Sequence, residues 1–269
     1  VSLRTRLEGQ DLQRICKGTS AAKTVTLQFW VKSDTTGTYV VELFDGEGRV
    51  CAATYPISSA STWEKKTITF PVDTTGAIDN DNAAGLNINF WLGVGSGLSS
   101  GTLQTTWGAN SDVNRAAGQT VDLSTDGRVW SITGVQLELG SSATPFEHRT
   151  YAEELERCKR YFQTYGGDHA TERIAIGYNH GLSQMRVQLQ LQPRMRSAPT
   201  LSLSSNGHWS VEKESDNNYA CTGMALDSAS TRVASANVEI AADNFVLSEA
   251  GVLRANNTTS ARLNLTSEF

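Results

Sequence analysis

A chain of 269 residues can hold one large or two ordinary domains, and 39% hydrophobic against 19% charged residues excludes a disordered polymer. The formal net charge of −5 argues against a nucleic-acid role, which needs clustered Lys and Arg. No stretch approaches the ~18 apolar residues of a membrane span, and VSLRTRLEG is no secretory signal.

The opening residues read as a strand with no initiator Met, so the chain is expected to be a fragment. From Val1 to about Gly140 the apolar period is two. KTVTLQFWVKS places Val25, Leu27, Phe29 and Val31 on one face and Thr26, Gln28, Trp30 and Lys32 on the other. TYVVELF puts Tyr39, Val41 and Leu43 on one side, and Asp45-Gly46-Glu47-Gly48 is hairpin chemistry. TWEKKTITFPVD is expected to bury Ile68, Phe70 and Val72. GLNINFWLGVG is expected to bury Leu86, Ile88, Phe90, Leu92 and Val94, leaving Asn87, Asn89 and Trp91 on the opposite face. A Gly-, Ser-, Thr- and Asn-rich loop follows from about Gly95 to Gly118. Short strands punctuated by turns, with no helical pattern between them, predict an antiparallel sandwich.

The stretch from Ile132 to Phe162 is a hinge. Val135, Leu137 and Leu139 alternate with Gln136 and Glu138 in a last strand, and Thr144-Pro145 delays any helix. Thr150 with Glu153 is a capping box, and Tyr151, Leu155, Cys158 and Phe162 follow at helical spacing up to Gly166-Gly167. Beyond it, Met185, Val187, Leu189 and Leu191 alternate with Arg186, Gln188, Gln190 and Gln192, and further short strands follow. The expected organisation is a β-sandwich over 1–148, a linker helix over 149–166 and a smaller β-sandwich over 167–269.

Parity marks the candidate ligand-binding residues. Trp30 and Trp91 share their faces with Gln28, Lys32, Asn87 and Asn89 rather than with aliphatic residues, and Trp107 lies on the long loop. A sugar ring has an apolar C–H face and a rim of hydroxyls, so flat aromatics beside amides suit it. The competing expectation is that helix, loop or a second subunit covers these tryptophans. Tyr55 and Trp63 are secondary candidates.

Catalysis has little support. His148, His169, His180 and His208 stand alone, with no HExxH and no GxSxG. Asp79-Asn80-Asp81-Asn82 misses the EF-hand template and reads as a solvated turn. Cys16, Cys51, Cys158 and Cys221 form no CxxC and read as reduced, mostly buried thiols.

GVQLELGSSATPFEHR followed by ELERCKRYFQTY resembles a junction of bacteriophage tail fibres and related receptor-binding proteins. LEGQDL, TLQFWVKSDTTGTYVVEL, STWEKKTITFPVDTTG and DNAAGLNINFWLG resemble the carbohydrate-binding-module-like jelly roll upstream of that junction. PRMRSAPTLSL resembles a strand of C-terminal fibre domains. The likeness covers most of the chain to about Thr200. It implies a non-catalytic virion protein of the phage tail, made in the host cytoplasm. The implied partners are a bacterial cell-surface polysaccharide or lipopolysaccharide and other tail fibre or baseplate proteins, with no nucleic acid and no membrane insertion. It further implies a homotrimer, no cofactor, and room for one structural calcium held by scattered oxygens such as those of Glu8 or Glu138. Two alternatives share the resemblance: a structural fibre or decoration protein without a glycan site, and the non-catalytic part of a tailspike depolymerase.

Overall fold

A computed structural model describes residues 1–125, 127–213, 217–241 and 244–269. The chain separates into two compact units, Val1–His148 with Phe269, and Arg149–Glu268.

The first unit runs β1 (Ser2–Glu8), a 3-10 turn (Gly9–Ile15), β2 (Val25–Ser33), β3 (Gly37–Phe44), β4 (Arg49–Ile57), β5 (Glu64–Phe70) and β6 (Ala84–Trp91). A one-turn helix α1 (Ser96–Ser99), the short β7 (Gly108–Ala109) and β8 (Trp130–Leu139) complete it. The strands form two antiparallel sheets, β1-β6-β3-β4-β7 and β5-β2-β8. Apart from the β3–β4 hairpin and β6–β7, each strand crosses to the other sheet, which gives a jelly-roll sandwich. Period-two alternation supplies its core. Leu27, Phe29 and Val31 of one sheet meet Tyr39, Val41, Leu43 and Phe90 of the other, all buried. Phe29 makes edge contacts with Tyr55 and Phe90, each with ring centroids 5.1 Å apart. The alternation ends with the strands. Val72 lies beyond β5, after Pro71, and is exposed rather than buried.

The long loop is an ordered cover. Ala52 N–H donates to Gln104 O at 2.7 Å and Ala116 N–H to Leu98 O at 2.8 Å. These bonds lay the loop over the outer face of the five-stranded sheet, where Val40, Ala52, Trp91 and Ala116 form a second small core.

The second unit opens with α2 (Tyr151–Lys159) and β9 (Phe162–Tyr165). It continues with β10 (Arg173–Asn179), β11 (Gln184–Gln190), β12 (Thr200–Leu203), β13 (Trp209–Lys213), β14 (Asn217–Ala229), β15 (Val233–Ile240), β16 (Ala250–Ala255) and β17 (Leu263–Thr266). It is all-β apart from α2 and short turns. Its form is a closed six-stranded ring, β10-β11-β15-β14-β13-β16, with a separate sheet β12-β17-β9. The long β14 has register shifts at Cys221/Gly223 and Leu226/Ser228, the bends that closure of a sheet requires. Met185, Val187 and Leu189 point inward, with Trp209, Val211, Val238 and Leu253.

Two expectations are corrected here. The helix ends at Lys159 instead of reaching Gly166, because Phe162–Tyr165 pairs with β17, placing Tyr165 opposite Leu263. Ladder bonds to a strand about a hundred residues away outweigh the local helical spacing. In addition, Cys51 and Cys221 are buried, whereas Cys158 is exposed.

Candidate functional site

Trp30 and Trp91 do not share a site. Trp30 is on β2, the centre of the three-stranded sheet, and Trp91 is on β6, in the five-stranded sheet. Both point away from the core, so they stand on opposite outer faces of the sandwich. Gln28 goes with Trp30, and Asn87 and Asn89 go with Trp91.

The face carrying Trp91 is closed. Trp91 is 6% exposed, Asn87 5% and Asn89 0%, and Glu42 of β3 lies beside them at 0%. The Glu42 carboxylate accepts from Trp91 Nε1 at 3.1 Å, from Asn89 Nδ2 at 3.1 Å, and from Arg115 Nη2 and Nε at 2.7 and 3.0 Å. The Arg115 guanidinium, brought by the long loop, also sits 5.2 Å from the centroid of the Trp91 ring. Asn87 Nδ2 donates to Phe44 O at 3.1 Å. A buried carboxylate needs an opposite charge and filled lone pairs, and these residues supply both. Asn87, Asn89 and Trp91 are therefore a structural clamp and offer nothing to a ligand.

Trp107 is also an anchor. Its indole N–H donates to Pro71 O at 3.0 Å, and its ring lies 4.9 Å from Lys17 Nζ. Tyr55 is 1% exposed and stacks on Tyr39.

The outer face of β5-β2-β8 is different. Trp30 is 42% exposed and Trp63, the residue just before β5, is 41% exposed. Trp30 lies directly opposite Lys65, and Lys32 Nζ rests 5.1 Å from the Trp63 ring centroid. On the other side, β8 has a register shift next to Trp30, where Gly134 takes φ +59°. A Cβ at Gly134 would stand 3.3 Å from Trp30 Cδ1, so glycine lets the indole lie close over the strand.

A strap follows β8 and is tied down by its polar residues. Glu138 accepts from Thr144 N at 2.8 Å and from Thr144 Oγ1 at 2.6 Å. Gln28 Nε2 donates to Thr144 O at 2.6 Å, and Gln136 Oε1 accepts from Glu147 N at 2.9 Å. Gln28 is consequently 1% exposed and fastens the strap, a correction to its expected ligand role. The Thr144 hydroxyl, helped by the Thr144 N–H and Gln136, holds the Glu138 carboxyl below the usual carboxylate range against the opposing effect of burial. The strap delivers Phe146, 38% exposed, to the same side as Trp30 and Trp63. Three apolar surfaces beside Lys32 and Lys65 result.

The oxygens of Glu138 are thus engaged by protein donors, and Glu8, fully buried, accepts from Gln10 Nε2 at 2.7 Å. Among the described residues no group of three or more His, Cys, Asp or Glu is arranged to hold a metal ion.

Sequence parity found Trp30, and Trp63 was a secondary candidate outside the parity argument. Lys65 and Phe146 were missed. Lys65 needed the β2–β5 register, and Phe146 is carried by a strap of no regular period. Comparison of the chain with protein-family models, curated proteins and solved structures returns no match.

Proposed function

We propose that this chain is a non-catalytic receptor-binding module of a phage tail fibre, and that its first unit binds bacterial surface glycan through the outer face of β5-β2-β8. One observation carries the site: Trp30, Trp63 and Phe146 lie partly exposed on one sheet face, with Lys32 and Lys65 among them. Flat rings accept the C–H face of a pyranose, and ammonium groups favour hydroxyl-rich or acidic sugars. The resemblance of the 132–162 junction to tail-fibre proteins supports the biological setting: a virion protein, assembled as a homotrimer with other tail components.

A shallow face with two or three stacking contacts, each adding ~0.5–1.5 kcal/mol, suits a per-site Kd of about 10 µM to 1 mM. The test is binding of the recombinant chain to an array of bacterial lipopolysaccharides and capsular polysaccharides. Trp30→Ala and Trp63→Ala are expected to weaken binding with an unchanged melting temperature, and Trp91→Ala to lower the melting temperature instead. Equal binding by wild type and the Trp30→Ala/Trp63→Ala double variant refutes the site.

A structural role is the alternative, with copies of the chain packed through Tyr151, Leu155 and Phe162, which are 81%, 38% and 43% exposed.

A further inference from the structure

The outer wall of the six-stranded ring repeats, with different residues, the chemistry of the Trp30 face. Tyr178 of β10, Arg186 of β11, Asn237 of β15 and Ala225 of β14 are directly opposite one another in successive strand pairs, so they form one row. The next row on the same wall contains Gln188, Ser235 and Ser228. Ala225, Ser228 and Ser235 are small side chains in the rows that also carry the larger Tyr178 and Arg186.

Tyr178 is 47% exposed and Ile176, two residues earlier on the same face, is 73% exposed, giving an apolar strip along β10. The tyrosine is held in place. Arg186 Nη1 donates to its hydroxyl oxygen at 3.3 Å, and the His180 ring meets it at 66° with centroids 6.5 Å apart. Arg186 Nη2 in turn donates to Asp227 at 3.0 Å, which balances the charge of the wall. His180 Nε2 lies 2.6 Å from Asn237 Oδ1, a bond that leaves the amide N–H donors of Asn237 uninvolved.

Two polar atoms of the wall have no hydrogen-bond partner within the protein. Ser235 is 7% exposed although it faces outward, and its hydroxyl has no hydrogen-bond partner. Arg186 Nε is likewise shut from solvent and unpaired. Shut-in polar atoms are normally satisfied by protein or by water, and a group that both donates and accepts can meet either of them. A sugar hydroxyl is such a group.

We propose that this wall is a second saccharide site, for a neutral pyranose that stacks on the Tyr178–Ile176 strip and hydrogen-bonds to Arg186, Ser235, Asn237 and Asp227. Its ligand class rests on the glycan-binding reading above, but its residues are independent of the Trp30 face. The side chains of Arg186 and Asp227 are both partly exposed, so a hydroxyl can approach them from solvent.

The experiment uses the full chain and the same polysaccharide array, in wild type and in the Trp30→Ala/Trp63→Ala background. Binding that survives in that background should fall about tenfold with Tyr178→Ala and return with Tyr178→Trp, the melting temperature staying constant. No surviving binding in the background overturns the second site and leaves the Trp30 face standing. Surviving binding that ignores Tyr178→Ala also overturns it. A Tyr178→Ala variant that changes sedimentation mass but not binding makes the wall a protein contact, and overturns it equally. Wild type that binds no saccharide removes both sites. Full loss with Tyr178→Ala alone would keep this site and remove the first.

Discussion

Two buried charge networks fasten the jelly roll, and each rests on one side chain. Glu42 is fully buried and Arg115 is 15% exposed at the side chain, so Glu42→Gln leaves a guanidinium with little water to replace its partner. The expected cost is about 3 kcal/mol, the low end for breaking a buried pair because Arg115 keeps some solvent contact. Urea denaturation checks it, and a midpoint equal to wild type refutes it. Lys17 is the second. Its ammonium lies 2.6 Å from Asp45 Oδ2, 3.0 Å from Asp73 Oδ2 and 2.8 Å from Gly76 O, with side-chain exposures of 3% for Lys17, 0% for Asp45 and 4% for Asp73. Burial pushes the Asp73 carboxyl up, but hydrogen bonds from Arg49 and Lys17 outweigh it and hold the group below its ordinary range. A depressed carboxyl contributes fully above the unfolded value of about 3.9 and loses its contribution as pH falls through the folded one. Lys17→Met should therefore destabilise the unit by about 3–5 kcal/mol near neutral pH and move acid unfolding to higher pH. Circular dichroism across an acid titration measures this; an unmoved acid midpoint counts against it. Neither network was legible in the sequence. The outward parity of Glu42 could be read, but its burial depends on a loop about seventy residues later.

At the scale of elements, strand parity and the capping box were legible because both are local. Thr150 Oγ1 accepts from Glu153 N at 3.3 Å and Glu153 Oε2 accepts from Thr150 N at 2.9 Å, the reciprocal pair expected. Sheet membership was not legible. Trp30 and Trp91 have the same parity, yet crossing connections send β2 and β6 to different sheets, and no pattern within either strand records that. The end of α2 was misread for a related reason: Phe162 continues the helical spacing but belongs to a strand made by long-range pairing. The helix has only nine residues, and none is buried. Helices this short are marginal without packing, so its cap should matter locally. Thr150→Ala should cost about 1 kcal/mol. It should speed hydrogen exchange of the α2 amides while leaving exchange in β2 and β11 unchanged. The Glu153 carboxyl is held low by the Thr150 N–H and hydroxyl, so acidification through its depressed pKa should loosen α2 in wild type. Exchange in α2 indifferent to both changes would show that the box contributes nothing.

The whole molecule poses a problem of affinity. Each unit has its own core, and each proposed saccharide face is shallow, so single contacts at about 10 µM to 1 mM would leave a virion poorly attached. Copies held in one assembly turn later contacts into intramolecular events and can raise avidity by about 10²–10⁴ without any new chemistry. Three is the number expected from the tail-fibre resemblance, and a closed ring of copies avoids open-ended growth. These residues carry no heptads or collagen-like triplets, so any assembly they drive themselves uses their folded surfaces. Among them, α2 and β9 present Tyr151, Leu155 and Phe162 beside exposed Cys158, an apolar grouping that a solvated surface would not favour. Complete burial of one large apolar side chain is worth roughly 1.5–3 kcal/mol, and Leu155 and Phe162, already more than half covered, would add only part of that when neighbouring copies cover them. Sedimentation at micromolar concentration should then give three copies of the 29.1 kDa chain, and Leu155→Asp should shift the population toward one. Array binding should fall steeply with the loss of the trimer, although neither saccharide face is touched by the substitution. A lone 29.1 kDa species in wild type would mean that assembly is not carried by these surfaces.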